Sequence, residues 1–459
     1  MRFKEEINES YTMAEAIKEA QRCLHCKIPQ CKKGCPINND IPDWIHELKK
    51  GNLGNAISII RAKSNLPAVC GRVCAHEKQC QGACILGKKG QAINIGKLER
   101  FVADFDSDNE LTHEDIVEKS RGKVAIIGAG PSGITVAGDL ARTGFAVEMF
   151  EMEAQCGGVL RYGIPEYRLP KEVVAREIRY IEKMGVIIHR NTHVGVEITV
   201  DSLFAQGFDA IFIGTGLGKP KSLEIPIWQN GLCISEGEKA LKCENLKRVR
   251  MATHFLRRVE LISEGYMKRD ELPVDEGARV YVIGGGNTAM DASRTALRIG
   301  ASQVDVIFNK GIEQLSALKA EYDDAVKEGV HFNWWSAITE IHVDDKLDIT
   351  EIVLETTEPD KEPVRQTLPA NNIIMAIGAT PNTKIVRTTS GLENDEHKFL
   401  ITRDLPYGMT TRKGVFAGGD VANRQATVVH AMQDAKKVAL GIAQYVDAVH
   451  LMQAINLTN

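Results

Sequence analysis

The 459-residue sequence contains no run approaching the roughly 18 consecutive apolar residues of a membrane-spanning helix, and its start, Met1-Arg2-Phe3-Lys4-Glu5-Glu6, lacks the apolar stretch of a secretory leader. A soluble, cytoplasmic chain is expected. No low-complexity tract is present, and the 40 glycines show no collagen spacing. With 43% hydrophobic and 26% charged residues, the composition is that of an ordinary globular protein, long enough for two or three domains. Aromatics are few at 6%. No nucleic-acid-binding motif accompanies them, so no nucleic-acid partner and no membrane partner are expected.

Cysteine is scarce over most of the chain and dense at one end. Eight of the 11 cysteines fall within residues 23–84, which is not how disulfides spread through a large secreted protein. The first run is Cys23-x2-Cys26-x4-Cys31-x3-Cys35-Pro36; the second is Cys70-x3-Cys74-x5-Cys80-x3-Cys84. Clustered thiols in a cytosolic chain read as metal ligands. Zinc favours separate tetrahedral sets built from two-residue pairs, and only Cys23 and Cys26 form such a pair. The Cys-Pro ending and the two runs favour 4Fe-4S clusters, in which the last cysteine of a run can serve the other cluster. Residues 1–100 also carry 17 Lys and Arg against 10 Asp and Glu, while residues 101–459 carry 40 against 51. A basic surround stabilises an anionic cluster.

The same region shows apolar spacing of three and four at residues 13–20, 41–50 and 53–62, which predicts helices, with Asp40 capping the second. His25 reads as a solvent-exposed spacer.

Beyond residue 120 the pattern changes. Lys123-Val124-Ala125-Ile126-Ile127 reads as a buried strand, followed by Gly128-x-Gly130-x-x-Gly133 opening a helix, with Glu151 ending the next strand. Gly128 makes the turn, Gly130 admits a pyrophosphate, Gly133 lets helix pack on strand, and Glu151 accepts ribose hydroxyls. The pattern recurs at residues 279–283 with Gly284-x-Gly286-x-x-Ala289. Two dinucleotide sites follow. A third segment, Gly414 to Asp420, reads as a short strand ending in an acid, with a helix starting near Ala426; this places Asp420 on a ribityl hydroxyl and the helix N-terminus at a flavin ring.

Together these motifs, with Gly157-Gly158-Val159-Leu160-Arg161-Tyr162-Gly163-Ile164-Pro165, resemble the glutamate synthase small-subunit family. They are equally similar to the large subunit of NADH-dependent ferredoxin:NADP oxidoreductase and to the electron-input half of dihydropyrimidine dehydrogenase. The resemblance implies an α/β fold with FAD- and NAD(P)-binding Rossmann-like domains, preceded by an α-helical domain holding two 4Fe-4S clusters. The expected segments are 1–120 for the iron–sulfur part, 121–220 and 376–459 for FAD, and 221–375 for NAD(P)H.

By resemblance, Cys23, Cys26, Cys31 and Cys84 hold one cluster, and Cys35, Cys74 and Cys80 hold three corners of the other. Glu99 matches the non-cysteine fourth ligand, whereas cysteine counting alone selects Cys70. On the flavin side the candidate cofactor contacts are Gly128, Gly130, Pro131, Ser132, Gly133 and Glu151. Gly158, Leu160, Gly214, Thr215 and Gly216 are added, with Gly419, Asp420 and Thr427 from the return segment. On the nicotinamide side the candidates are Gly284, Gly286, Asn287, Thr288, Ala289, Asn309 and Lys310, with Gly378 a further cofactor contact. NADPH-using relatives commonly carry an arginine pair where this chain has Asn309-Lys310, and Ser316 stands at a further basic position, which leans the expectation to NADH.

The implied activity is NAD(P)H oxidation with electrons passed through FAD and the clusters to an electron-accepting protein subunit, in a hetero-oligomer. No catalytic side chain is expected, because the cofactors carry the chemistry. The competing readings are a disulfide reductase using Cys156, Cys233 or Cys243, and a redox-sensing scaffold. Trp334-Trp335 reads as core or interface.

Overall fold

The computed structural model describes residues 5–7, 9–112, 116–236, 240–424 and 427–458, and it divides the chain into two compact units. The larger comprises residues 6–161, 168–218 and 380–459; the other comprises residues 1–5, 162–167 and 219–379. The helical segment therefore shares a unit with the first and last sheet segments and does not stand apart as residues 1–120. Residues 162–167 leave the first sheet segment for the other unit.

In the larger unit, the helices Met13–Gln21, Ile41–Lys49 and Leu53–Arg61 form where apolar spacing places them. Thr12 and Glu15 close a capping box on the first. Asp40 precedes the second but does not cap it with its side chain, which is drawn to the Lys32 ammonium. Pro67–Val73 and Ile95–Asn109 complete the helical layer. These two approach closely at Gly71, where a Cβ would lie 2.5 Å from the Arg100 backbone nitrogen.

The sheet of this unit has seven strands in the order 402–404, 407–410, 415–417, 210–213, 123–127, 146–150, 187–189. The last five run parallel. Val415–Ala417 pairs with Ala210–Ile213, so the late strand does return to the first fingerprint. Its interior holds Ala125, Ile127, Ile211, Ile213 and Val415. Where the sequence places a helix start near Ala426, that residue lies outside the described ones; the helix is Val428–Thr458. Its stretch Val428–Ile455 is long and apolar enough to cross a bilayer by composition alone. In this fold, however, Met432, Ala435, Val438, Ile442 and Val446 are buried in the protein.

The other unit holds a five-stranded parallel sheet, in the order 331–334, 303–308, 279–283, 372–375, 249–251. A second five-stranded sheet is built around the hairpin Ser336–Val343 and Ile349–Thr356. Separate apolar clusters lie on either side of the parallel sheet, one including Val280, Val282 and Val304, the other Tyr281, Ile307 and Ile373. Alternate residues of one strand thus serve two cores, the arrangement of a sheet covered on both faces.

Candidate functional site

The two cysteine runs fold into two neighbourhoods. Cys23 feels the charges of Cys26 and Cys84, and Cys31 those of Cys23, Cys84 and Cys26. Cys35, Cys74 and Cys80 instead all feel Glu99. The first neighbourhood unites residues 23, 26, 31 and 84; the second gathers residues 35, 74, 80 and 99 with Cys70, which acts on both Cys35 and Cys74. Glu99 and Cys70, the two candidates for the fourth position of the second set, both lie there. Burial is the main force raising the Cys31 thiol to about 11 and the Cys35 thiol to about 12, and it raises Cys80 further. The buried Glu99 carboxyl is pushed up to about 8, with the Glu177 charge adding to the effect. Such groups resist ionisation until a cation shares the space, which is the donor chemistry of a metal centre.

A small hollow marks the second neighbourhood. Cys35, Cys74, Cys80 and Glu99 line it, together with Cys70, Asn39, His76, Gln79 and Val429. Buried polar atoms facing no protein partner include both side-chain polar atoms of Asn39 and Nε2 of His76, so the hollow offers N–H donors, on Asn39 Nδ2 and on His76 Nε2 when it carries the ring proton, that cluster sulfides would satisfy. Burial holds the His76 imidazole neutral, down to about 4. Asn39 and His76 were not among the residues singled out by sequence, and only their nearness to Pro36 and Cys74 could have flagged them.

Cys70 also borders the hollow: its side chain hydrogen-bonds Cys74, and its thiol lies 3.7 Å from the Met432 Sδ and 3.9 Å from the Ser64 Oγ. The Glu99 carboxylate has no such protein contact among the described residues. No group of three His, Cys, Asp or Glu residues among those described closes to the spacing of a single ion. A 4Fe-4S centre distributes its ligands over four irons, so an open donor set fits it better than zinc.

The first glycine fingerprint builds a second cradle in the same unit. Gly128 is left-handed at φ +98° and accepts no Cβ, because Gly214 O would lie 2.8 Å away. A Cβ on Gly133 would come within 2.0 Å of Gly128 O, whereas one on Gly130 would meet nothing closer than the Gly158 Cα at 4.0 Å. Space is therefore held open above Gly130, at the N-terminus of the helix Pro131–Arg142, where a phosphate would be welcomed. Ser132 sits between Gly214 and Gly419, whose Cβ positions would each lie 2.9 Å from it. The Glu151 carboxylate is buried and accepts from the Ala129 and Glu153 backbone N–H groups, each at 2.8 Å. One lone pair per oxygen is left for ribose hydroxyls.

Asp420 follows Gly419. Its Oδ1 is buried with no partner, and burial pushes the carboxyl up to about 6. An orphaned acceptor beside a glycine cradle suits a polyol such as the ribityl chain. Leu160 is fully buried nearby in sequence to Gly158, and Thr215 and Gly216 continue from Gly214 past the strand end. Thr427 caps the following helix, its hydroxyl 2.6 Å from the His430 Nδ1.

In the other unit the fingerprint repeats with one difference. Gly284 is again left-handed, at φ +139°. Gly286 begins the helix Asn287–Arg298, which includes Thr288 and the buried Ala289, and Asn287 Oδ1 accepts from the Leu318 N–H at 2.8 Å. Ile127 pairs with Phe150 in the first fingerprint and Ile283 pairs with Ile307 in the second, so Phe308 occupies the register of Glu151. Asn309 and the exposed Lys310 lie one and two positions beyond. Next to them, Glu313 and Glu358 line a hollow with Trp334 and Trp335. Gly378 lies just after the strand Asn372–Met375 of this unit.

A dithiol is not assembled. Cys156 is buried in the larger unit, Cys243 Sγ donates to the Leu223 carbonyl in the other, Cys233 contacts Ser235, and all 11 cysteines are unpaired.

The family description "Dihydropyrimidine dehydrogenase domain II, 4Fe-4S cluster" matches residues 1–111, and "Pyridine nucleotide-disulphide oxidoreductase" matches residues 122–435. The glutamate synthase [NADPH] small chain of Escherichia coli (strain K12) is 31% identical over 96% of this chain and 94% of its own. The chain belongs to the glutamate synthase small-subunit family. Subunit PreT of the NAD-dependent dihydropyrimidine dehydrogenase of the same strain is also 31% identical, over 97% of this chain and 98% of its own. Mycobacterium tuberculosis FprA (TM-score 0.55, 18% identity, 72% of this chain and 86% of its own) has a similar fold. So does the thioredoxin reductase of T. acidophilum (TM-score 0.52, 20% identity, 71% and 98%). Like its family, this small-subunit homologue is an NAD(P)H-dependent oxidoreductase that uses FAD and 4Fe-4S clusters.

Proposed function

We propose that this chain is the electron-input subunit of a larger enzyme and that its partner resembles the large chain of glutamate synthase. When bound, FAD converts a two-electron hydride delivery into single electrons that the clusters can carry. The chain's own residues divide the remaining work. Glu151 and Asp420 anchor the flavin's ribose and ribityl hydroxyls, Gly130 admits its pyrophosphate, and the helix starting at Val428 directs its N-terminal dipole toward that cradle.

One observation carries the reading. Val429 and Met432, in the first turn and a half of that helix, reach the second cysteine neighbourhood: Val429 lines its hollow and Met432 touches Cys70. The element that would face the flavin is thus also a wall of a cluster site, and electron exit through the helical segment follows from that adjacency. Residues 35, 74, 80 and 99 form the inner site, and residues 23, 26, 31 and 84 the outer one.

NADH is the proposed donor. No arginine fork stands at the strand end, and Phe308 fills the ribose register. Glu313 and Glu358 face the adjoining hollow, where their charges would repel a 2′-phosphate. Anaerobic mixing of the holoprotein with NADH or NADPH tests both statements. Rapid bleaching of the flavin followed by reduced-cluster paramagnetic signals is expected, with NADH effective at the lower concentration. A flavin that stays oxidised under both nucleotides overturns the function.

A further inference from the structure

Three exposed apolar side chains flank the outer cysteines. Leu24 is 60% exposed, Ile28 67% and Ile85 47%. Leu24 lies between Cys23 and Cys26, Ile28 two residues beyond Cys26, and Ile85 follows Cys84. Each therefore adjoins a cysteine of the outer neighbourhood, which the mutual influence of Cys23, Cys26, Cys31 and Cys84 shows to be one place.

The loop that displays Leu24 is held in shape. His25 is left-handed at φ +47°, its ring stacks on His46 with centroids 4.8 Å apart, and its Nε2 lies 3.0 Å from the Asp43 Oδ1. The ring is exposed to solvent, as expected of a spacer, and it also braces the loop. A fixed display of apolar side chains lowers the ordering cost of docking.

Charge around this spot is predominantly positive. Lys27, Lys49, Lys88 and Lys89 are exposed, and Lys49 lies near enough to Cys23 to act on its thiol. Most carboxylates in the same stretch are paired with cations, Glu19 with Arg22, Asp40 with Lys32 and Glu47 with Lys50, which leaves the exposed Asp43 beside His25 as the acid among these lysines. An apolar centre with a cationic rim over a redox group has the make-up of a small, electrostatically steered encounter surface.

Resting on the electron-input reading above, we propose that Leu24, Ile28 and Ile85, rimmed by Lys27, Lys49, Lys88 and Lys89, form the docking face for an acidic one-electron redox protein or subunit. The carboxylates of that partner meet the lysine rim and an apolar spot beside its own redox group meets Leu24 and Ile28. The electron leaves by the outer cysteine neighbourhood, with no atom transferred.

The test uses the full-length holoprotein and a purified acidic 2Fe-2S ferredoxin as probe, with basic cytochrome c as control, in calorimetric binding titrations. Ferredoxin binding is expected to weaken steeply as salt rises from about 50 to about 200 mM. It is expected to weaken about tenfold or more in the Lys27→Glu/Lys88→Glu/Lys89→Glu variant. A Leu24→Ser/Ile28→Ser variant should weaken binding while leaving the salt dependence intact. A Lys88→Glu/Lys89→Glu variant, whose changes do not adjoin a cysteine, provides the same charge test should the triple variant lose iron. Ferredoxin binding unchanged in these variants, or cytochrome c bound as tightly as ferredoxin, overturns the docking face. So does sedimentation showing that Leu24 and Ile28 instead join two copies of this chain. NADH-driven ferricyanide reduction is expected to be unaltered throughout; its absence from the unsubstituted protein would refute the electron-input reading, while the binding data would still decide the surface.

Discussion

Asp420 shows how a site residue can be read from a deficiency. Its Oδ1 is buried without a partner and its carboxyl is pushed up to about 6 by burial alone. In flavin-free protein the neutral acid is the form the fold tolerates. Stability contributed by this group is therefore fully present below the unfolded value of about 4, and it is lost as pH rises through about 6. Flavin-stripped protein should melt a few degrees lower at pH 7 than at pH 4.5 from this group. Asp420→Asn should flatten that part of the profile while weakening FAD retention about tenfold, the cost of one charge-assisted hydrogen bond. Thermal melts and flavin release measure both. Glu99 is a similar case with a different ligand class. Glu99→Gln should reduce bound iron from about eight to about four atoms per chain and erase one of two paramagnetic signals, leaving the other untouched. Both signals surviving unchanged would return the fourth position to Cys70.

At the scale of the element, strand–turn–helix units were legible because each step of the fingerprint is forced by close contact. Gly133 cannot carry a Cβ, since Gly128 O stands 2.0 Å from where it would be, while Gly130 can. Substitution should separate folding from binding. Gly133→Ala should destabilise the unit by about 1–3 kcal/mol through overpacking. Gly130→Ala should leave the melting temperature of flavin-free protein unchanged and abolish FAD retention, because the methyl occupies space meant for pyrophosphate. Flavin-free melting curves and flavin content distinguish the two; equal effects would mean that the opening above Gly130 is not a binding space. The second fingerprint shows where reading from sequence stops. Pairing of Ile283 with Ile307 gives the register of Glu151 to Phe308, and Asn309 and Lys310 follow the strand end. Which residue stands opposite Gly284 is fixed only by the partner strand.

At the scale of the molecule, cysteine spacing was enough to locate the cluster region and two glycine patterns were enough for the α/β class. What linked them was not legible. Cys70 meets Met432 across 362 residues, and Asn39 and His76 join one hollow only after two cysteine runs close on each other. The same holds for the buried ion network that fastens the helical segment to its own unit. Arg61, on the helix Leu53–Arg61, reaches Asp106 and Glu177 at 3.2 Å each, and Glu177 also accepts from the Ala68 N–H at 2.8 Å. Glu177 lies on Lys171–Lys183, so one guanidinium joins three helices. Burial raises the Glu177 carboxyl, and the Arg61 charge acts against that rise. Removing the cation leaves two buried acids facing each other, and Arg61→Ala should cost about 3–5 kcal/mol. Because Glu177 also acts on Glu99, the loss should extend to the inner cluster site: iron content should fall together with the denaturation midpoint. The double change Arg61→Met/Glu177→Gln should recover much of the stability by removing the unpaired charge. A single Arg61→Ala variant with an unchanged midpoint and full iron would show that the helical segment is held by packing alone.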